Sequence, residues 1–212
     1  MNPSKHLEEL VQRYPVLSGC REDIQKAYEL LLDTYQRKGT LLVCGNGGSG
    51  ADSEHIVGEL MKEFAIRRPL PEKEQEALKA ISPEHGEMLG KNLQGALPAI
   101  PLTGSIALST AFANDAVPEL VFAQQVYGYG TPESSLIGIS TSGNSKNVIY
   151  ALETARLKGM HTIGLTGASG GKMKSLCDVC ICVPSDCTPD IQELHLPVYH
   201  ALCKMLEEAF FG

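Results

Sequence analysis

The chain has 212 residues, a length that suits one domain, and 43% of them are apolar, which is enough for a proper core. A charged fraction of 20% argues against disorder, and a net charge of -7 argues against a general nucleic-acid-binding surface, since such surfaces are usually basic. The N-terminus has no apolar signal core, and no apolar run approaches the roughly 18 residues of a membrane span. We therefore expect a cytoplasmic protein that binds neither nucleic acid nor a membrane.

The seven cysteines are expected to be reduced thiols, because nothing in the sequence marks secretion. The spacing of Cys177 and Cys180 is compatible with a metal or redox motif. However, Cys180 and Cys182 alternate in a strand-like run, and no second pair or nearby histidine completes a zinc set. Buried structural cysteines are therefore the favoured interpretation.

The N-terminal part of the chain leads to a glycine-rich loop. Helical spacing of apolar residues predicts one or two helices in residues 4–38, and a short strand-type run follows at residues 41–44. The loop itself reads Gly45-Asn46-Gly47-Gly48-Ser49 and precedes a predicted helix over residues 51–64. Such a loop can bind an anion, because unpaired N–H groups and the positive end of the dipole lie at a helix N-terminus.

The predicted helix after this loop carries His55 and Glu59 four residues apart. They lie about 40° apart around a helix, so both can face one site. The alternative is an ordinary strand–helix turn with a surface ion pair, and this stretch alone does not decide between the two.

Residues 67–101 differ in character from their surroundings, with prolines near both ends and a charged segment of helical spacing between them. They are too short for a core of their own, so we interpret them as an insertion within one domain that spans residues 1–212. The sheet resumes with a short predicted strand at residues 99–102. A helix is then predicted to start near Asn114 and Asp115 and to end near residue 126.

Strands and helices alternate in the rest of the chain. Strands are predicted at residues 135–140, 161–166 and 179–183, a helix at residues 146–158, and a final helix at residues 188–211 with Pro197 as a potential kink. This alternation predicts right-handed crossovers, a parallel sheet and an α/β three-layer αβα sandwich.

A second polar loop follows a predicted strand and reads Ser140-Thr141-Ser142-Gly143-Asn144-Ser145. Its hydroxyl and backbone N–H groups could all point at one anion. Neither loop fits the pattern GxxxxGK[ST], so a mononucleotide is disfavoured and a single sugar phosphate fits better. A helix N-cap with extra serines is the alternative, but two such loops at strand ends of one sheet favour a ligand crevice.

The final helix carries Gln192 and His200, which are eight residues apart. They lie about 80° apart around the helix, so both side chains can face the same side of a ligand crevice. His195 lies about 140° from His200 and is expected to be a packing or surface residue. The functional interpretation of His200 depends on a match to His55 and Glu59.

Taken in order, these motifs resemble the phosphoheptose isomerase branch of the sugar isomerase (SIS) domain family. The resemblance rests on the two loops, His55 with Glu59, Asn114-Asp115, and the run from Ile191 to His195 with His200, and it covers about residues 20–210 apart from 67–101. It implies a flavodoxin-like SIS fold with N-terminal helices in residues 1–38. It also implies an enzyme that converts sedoheptulose 7-phosphate to D-glycero-D-manno-heptose 7-phosphate through an enediol.

The resemblance further implies a role for each matching residue. Glu59 would be the catalytic base and His200 its acid–base partner, because such chemistry needs one group for the carbon-bound proton and another for the neighbouring oxygens. Some members bind zinc, and the family is typically a homotetramer whose sites use neighbouring subunits. The implied ligands are Ser49, Ser140, Thr141, Ser142 and Ser145 for phosphate, Asn46, Gly47, Asp115 and Gln192 for the substrate, and His55, Glu59, Gln192 and His200 for zinc.

Two positions depart from the family pattern. Glu63 stands where a basic residue often helps to hold substrate, and Lys62, Arg67 or Arg68 could compensate. Pro189 stands where an acidic residue is frequent three positions before the glutamine. These departures, with the insertion, leave pentose, hexose and other heptose phosphates open as substrates.

The competing interpretation is a non-catalytic SIS protein, either a sugar-phosphate sensor or a tetrameric adaptor such as one that binds the bacterial replication initiator. Such a protein would not need the complete set of glutamate, glutamine and histidines. The presence of all four residues favours an enzyme. The isomerase module of glucosamine-6-phosphate synthase is a weaker match, because this chain has no glutaminase half.

Overall fold

The computed structural model describes residues 3–212, which form one five-stranded sheet flanked by helices. All strand pairs are parallel, in the order β2-β1-β3-β4-β5. The strands are β1 (Leu41–Cys44), β2 (Ala99–Pro101), β3 (Ser135–Ile139), β4 (His161–Thr166) and β5 (Val179–Cys182). The α-helices of this part are α1 (Ser4–Arg13), α2 (Arg21–Gln36), α3 (Gly48–Met61), α4 (Glu72–Ile81), α5 (Gly86–Asn92), α6 (Ile106–Asp115), α7 (Val121–Tyr129), α8 (Lys146–Leu157) and α9 (Thr188–Phe211). Short 3-10 helices lie at Pro15–Cys20, Pro118–Leu120 and Lys172–Ser175.

Helices cover both faces of the sheet, because successive side chains of a strand point to opposite faces and both sets are apolar. In β1, Leu41 and Val43 pack with α2, α3 and α9, whereas Leu42 and Cys44 pack with α7 and α8. The predicted three-layer αβα sandwich with a parallel sheet is therefore confirmed. No helix within residues 3–212 is long and apolar enough to cross a membrane.

The region before α7 differs from the prediction of one helix that starts near Asn114. Asn114 and Asp115 instead end α6, and a separate helix, α7, begins at Val121. Pro118 explains the break, because a proline disfavours the helical conformation of the residue before it, and Val117 is extended with φ of -90° and ψ of 111°.

The insertion forms a helical hairpin of α4 and α5, which is tied to the domain at its base. Pro69 and Gln94 form an isolated antiparallel bridge, and the Gly95 N–H donates to the Arg68 carbonyl at 2.8 Å. The short strand β2 follows it at the edge of the sheet, a position where a proline such as Pro101 is tolerated.

The cysteines are all free, and four of them, Cys20, Cys44, Cys180 and Cys203, are buried. Burial raises the pKa of Cys44 to about 12, so that thiol stays protonated and inert. Cysteine belongs to none of the groups of three or more metal-binding side chains found among residues 3–212. These facts support the structural interpretation of the cysteines.

Candidate functional site

The glycine loop after β1 turns sharply into α3. Gly47 has φ of 56° and ψ of -122°, a conformation that glycine adopts without strain. The N–H groups of Gly50 and Ala51 both donate to the Gly47 carbonyl at 3.0 Å. The helix therefore begins at Gly48, three residues earlier than predicted, and the loop lies directly at its N-terminus.

Gln192 lies against this loop. A Cβ atom on Gly48 would be only 2.6 Å from Nε2 of Gln192, so the glycine leaves the space that the amide fills. Gln192 belongs to the first turns of α9, and α9 packs along α3. The structure thus brings this predicted ligand to the predicted loop.

His55, Glu59 and His200 form one cluster between α3 and α9. Nε2 of His55 lies 3.1 Å from Oε1 of Glu59 and 3.5 Å from Nε2 of His200. One potential ligand atom from each of the three residues lies within 4.8 Å of the others. The structure thus places His200 of α9 beside His55 and Glu59 of α3.

The three side chains fit a zinc ion by chemistry and spacing. Zinc takes imidazole nitrogens and carboxylate oxygens at about 2.0–2.2 Å, and a tetrahedral site places such ligands about 3.3–3.6 Å apart. The 3.1 and 3.5 Å separations in the cluster lie close to this range. Burial lowers the pKa of His200, with the neighbouring His55 acting in the same direction, which favours the neutral imidazole that a metal or a proton can bind.

Lys62 is a further residue of this cluster. Its Nζ lies 3.4 Å from Oε2 of Glu59 and donates to the Glu63 carbonyl at 3.0 Å. Arg68 cannot compensate for the missing basic residue, because its side chain is completely buried in an ion pair with Glu207. Lys62 therefore contacts the carboxylate of the predicted catalytic glutamate, whereas Arg68 reaches only its backbone carbonyl.

Two residues that the sequence analysis missed lie behind the cluster. The Tyr199 hydroxyl lies 3.0 Å from Nδ1 of His55 and donates to Oδ1 of Asp52 at 3.1 Å. Burial raises the pKa of both Asp52 and Tyr199, so the phenol stays protonated at neutral pH. A signal existed in the sequence, because Asp52 precedes His55 by three residues and shares its helix face.

The serine loop follows β3 and lies at the same edge of the sheet as the glycine loop, because β1 and β3 are parallel neighbours. Its ends meet where the Ser140 and Ser145 hydroxyls hydrogen-bond at 2.9 Å. At its tip, Gly143 has φ of 65° and the Asn144 N–H donates to the Ser142 hydroxyl at 3.2 Å. Ser140 and Ser145 therefore lie together before α8, with Thr141 and Ser142 in the turn between them.

The glycine loop is joined to the first turn of α8 by a pair of amides that includes Asn147, which the sequence analysis missed. Nδ2 of Asn46 donates to Oδ1 of Asn147 at 2.9 Å, and Nδ2 of Asn147 donates back to Oδ1 of Asn46 at 2.8 Å. Both residues line a cleft of about 540 Å³ with Gly47. Ser49 is buried beneath the loop, with 4% of its surface exposed.

Asp115 and His195 lie apart from these contacts. The Asp115 carboxylate is exposed at the end of α6 and accepts a hydrogen bond from neighbouring Asn114 at 2.9 Å. His195 is completely buried, which supports its prediction as a packing residue.

The loop cleft and the groove beside His200 are different cavities within one chain. The cleft is lined by loop residues and by Glu54 and Thr103, whose side chains hydrogen-bond at 2.9 Å. His200 instead lines a groove of about 420 Å³ between α1 and α9, together with Arg13 and Lys204. The polar cleft beside the glycine loop is therefore separate from the groove that His200 lines.

Known proteins resemble the chain over nearly its full length. The sequence profile of the SIS domain matches residues 13–94 and 94–167. A phosphoheptose isomerase of Akkermansia muciniphila is 36% identical over 96% of this chain and 94% of that protein, and one of Helicobacter pylori is 40% identical over 92% and 88%. The structure of a phosphoheptose isomerase from Francisella tularensis is similar with a TM-score of 0.76, at 30% identity over 97% of this chain and 96% of that one.

These findings confirm the resemblance drawn from the motifs. The chain belongs to the SIS domain family and, within it, to the phosphoheptose isomerase branch.

Proposed function

We propose that the protein is a sugar-phosphate aldose–ketose isomerase that converts sedoheptulose 7-phosphate to D-glycero-D-manno-heptose 7-phosphate. The observation that carries the proposal is the cluster of His55, Glu59 and His200, which joins a carboxylate to two imidazoles between α3 and α9. The relatives named phosphoheptose isomerase support the same class of reaction. A non-catalytic sensor would have no need of this cluster.

The reaction moves protons between two carbons and their oxygens. Glu59 removes a proton from C1 of the ketose while the C2 carbonyl oxygen takes one up, which gives the enediol. Loss of the proton from the C1 hydroxyl and return of a proton to C2 then give the aldose. His200 serves the two oxygens, because a neutral imidazole can both accept and donate a proton near neutral pH.

The two loops bind the substrate in this proposal. Ser140, Thr141, Ser142 and Ser145, with Ser49, donate hydrogen bonds to the phosphate at the N-termini of α8 and α3, where the helix dipoles favour an anion. The sugar hydroxyls contact Asn46, Gly47, Asp115 and Gln192. Lys62, which lies beside Glu59, would contact substrate oxygens in place of the basic residue missing at position 63.

A zinc ion would be held by His55, Glu59, Gln192 and His200, which supply two nitrogens and two oxygens. The chemistry that such an ion supplies when bound is polarisation of a carbonyl oxygen. Glu59 would exchange the carbon-bound proton, and its carboxylate lies 3.1 Å from the His55 ring.

We also infer a homotetramer in which neighbouring subunits complete each site. The separation of the loop cleft from the histidine groove within one chain supports this arrangement. So does the surface of α6, which buries none of its residues and exposes 76% of Ile106. Apolar surface of that kind is typical of contacts between chains.

The test is to incubate the protein, with and without zinc, with sedoheptulose 7-phosphate and to follow the aldose product. We expect turnover by the wild type, and a loss of about 100- to 10,000-fold in Glu59→Gln and His200→Ala, the usual contribution of general acid–base catalysis. Turnover at the wild-type rate in both variants would refute the assigned roles. Tight binding of the sugar phosphate without turnover by the wild type would instead identify a sensor.

A further inference from the structure

A chain of three polar side chains runs from the interior of the α3–α9 contact to the histidine cluster. The Tyr199 hydroxyl donates to Oδ1 of Asp52 at 3.1 Å and lies 3.0 Å from Nδ1 of His55. The Tyr199 ring also packs edge-on against the rings of His55 and His200, with centroids 5.5 and 5.1 Å apart. Tyr199 therefore touches both histidines of the cluster and holds one of them by a hydrogen bond.

The direction of each hydrogen bond in this chain follows from the inventory of protons. An ionised carboxylate only accepts hydrogen bonds, so the single phenolic proton of Tyr199 must go to Asp52. The oxygen of Tyr199 then faces Nδ1 of His55 as an acceptor, and Nδ1 must carry the ring proton. With its ring proton held on Nδ1, His55 can give the lone pair of Nε2 to a metal that takes the place of a proton there, and this atom lies 3.1 Å from Glu59 and 3.5 Å from His200.

We propose that Asp52 and Tyr199 are positioning residues that fix the orientation and tautomer of His55, so that its Nε2 presents a lone pair to a divalent metal shared with Glu59 and His200. This inference rests on the metal site of the proposed function. Metal-binding histidines commonly donate their other ring N–H to an outer group, which makes them more basic, and loss of that group typically weakens metal binding about 10- to 100-fold. Neither residue touches substrate in this arrangement.

A second buried tyrosine shows that packing alone does not require such contacts. Tyr35 has 7% of its surface exposed and packs edge-on against Phe210, yet its hydroxyl has no hydrogen-bond partner among the described residues. Tyr199, which is 1% exposed, satisfies its hydroxyl on both sides. Tyr35→Phe is therefore a matched control, because it removes a buried hydroxyl that holds nothing.

The test measures zinc affinity of the metal-free, full-length protein by competition with a chromophoric chelator, without substrate. We expect the Kd for zinc to rise about 10- to 100-fold in Tyr199→Phe and in Asp52→Asn, and to stay at the wild-type value in Tyr35→Phe. A double variant, His55→Ala with His200→Ala, lacks the proposed site, so any zinc that it still binds is held elsewhere, for example by the free thiols. This background is subtracted from the zinc bound by the other proteins. Wild-type affinity in Tyr199→Phe, or absence of zinc binding that depends on His55, would overturn the proposal.

A second measurement reads the tautomer directly. Nitrogen-15 NMR of histidine-labelled protein should show a proton on Nδ1 of His55 in the wild type and the loss of its hydrogen bond in Tyr199→Phe. A wild-type ring protonated only at Nε2 would contradict the inference. Because neither measurement involves turnover, tight zinc binding that depends on Tyr199, without isomerisation, would refute only the proposed reaction. Turnover with unchanged zinc affinity in Tyr199→Phe would refute only this inference.

Discussion

Two clusters lie along the contact between α3 and α9, and each pairs a basic side chain with a glutamate. They differ in how far they are buried. Arg68 and Glu207 are both completely buried, with a contact of 2.8 Å. Glu59 and His55 are also in contact, at 3.1 Å, but 14% and 41% of their side chains remain exposed. The first cluster is closed to substrate and water, whereas the second can bind a ligand and exchange protons.

The buried pair holds the helix that carries the exposed one. The Arg68 guanidinium donates to the carbonyls of Glu59 and Leu60 at 3.1 and 2.7 Å, near the end of α3. Glu207 accepts from two backbone N–H groups just beyond that end, both at 2.8 Å. The last carbonyls and the following N–H groups of a helix end need such partners when buried. The comparison indicates that the buried pair fixes the end of α3, whereas the exposed pair on its surface stays open to a ligand.

The largest effect on stability is expected from Arg68→Ala. Removal of one partner of a buried ion pair leaves an uncompensated charge and costs about 3–5 kcal/mol. Arg37→Ala is the matched control, because Arg37 pairs with the exposed Asp33 at 3.0 Å and such surface pairs contribute about 0–1 kcal/mol. Urea unfolding measures both, and a loss below about 1 kcal/mol in Arg68→Ala would break the contrast between the two clusters.

A smaller, pH-dependent effect is expected from His195. Burial lowers its pKa to about 4, partly offset by the backbone of Thr166, whereas the unfolded chain has an ordinary value near 6.5. The unfolded state therefore binds more protons between about pH 4 and 6.5, so stability falls as pH drops through this range, by up to about 3 kcal/mol.

Urea unfolding of wild type and His195→Gln at several pH values measures this contribution. The variant should show a shallower loss of stability between pH 6.5 and 4. Parallel curves for the two proteins would show that the buried histidine does not contribute to the acid sensitivity.

The smallest effect is expected at the serine loop. Ser145→Ala removes one donor to the phosphate, and a hydrogen bond to a charged group contributes about 1.5–3 kcal/mol, or about 10- to 100-fold in affinity. Calorimetry in a Glu59→Gln background measures the Kd for sedoheptulose 7-phosphate without turnover. Ser18→Ala, an exposed serine whose hydroxyl donates to the Pro15 carbonyl, is the control. An unchanged Kd in Ser145→Ala would contradict the assignment of the phosphate to this loop.

Much of the fold was predictable because the strands are apolar on both faces and alternate with helices. Periodicity could not locate the break between α6 and α7, since it depends on Pro118 inside an otherwise helical stretch. The helix start at Gly48 was also missed, because glycines in a loop sequence hide a first turn that tertiary packing stabilises.

The candidate site was predictable where partners share a helix, as His55 and Glu59 do at a spacing of four residues. The link to His200 required the resemblance to a family, because residues on α3 and α9 are joined only by packing. Tyr199 and Arg68 were beyond sequence reasoning for the same reason: their partners lie 144 and 139 residues away along the chain.

The most direct test of the account is exchange of the carbon-bound proton of the substrate. Incubation of sedoheptulose 7-phosphate with the wild type in heavy water should place deuterium on the carbon next to the carbonyl, measured by NMR. The reason is that the proton that Glu59 takes from C1 exchanges with solvent before a proton returns to the enediol. Glu59→Gln should bind the sugar phosphate yet show no exchange above background. Exchange at the wild-type rate in Glu59→Gln would contradict the assignment of this carboxylate as the base.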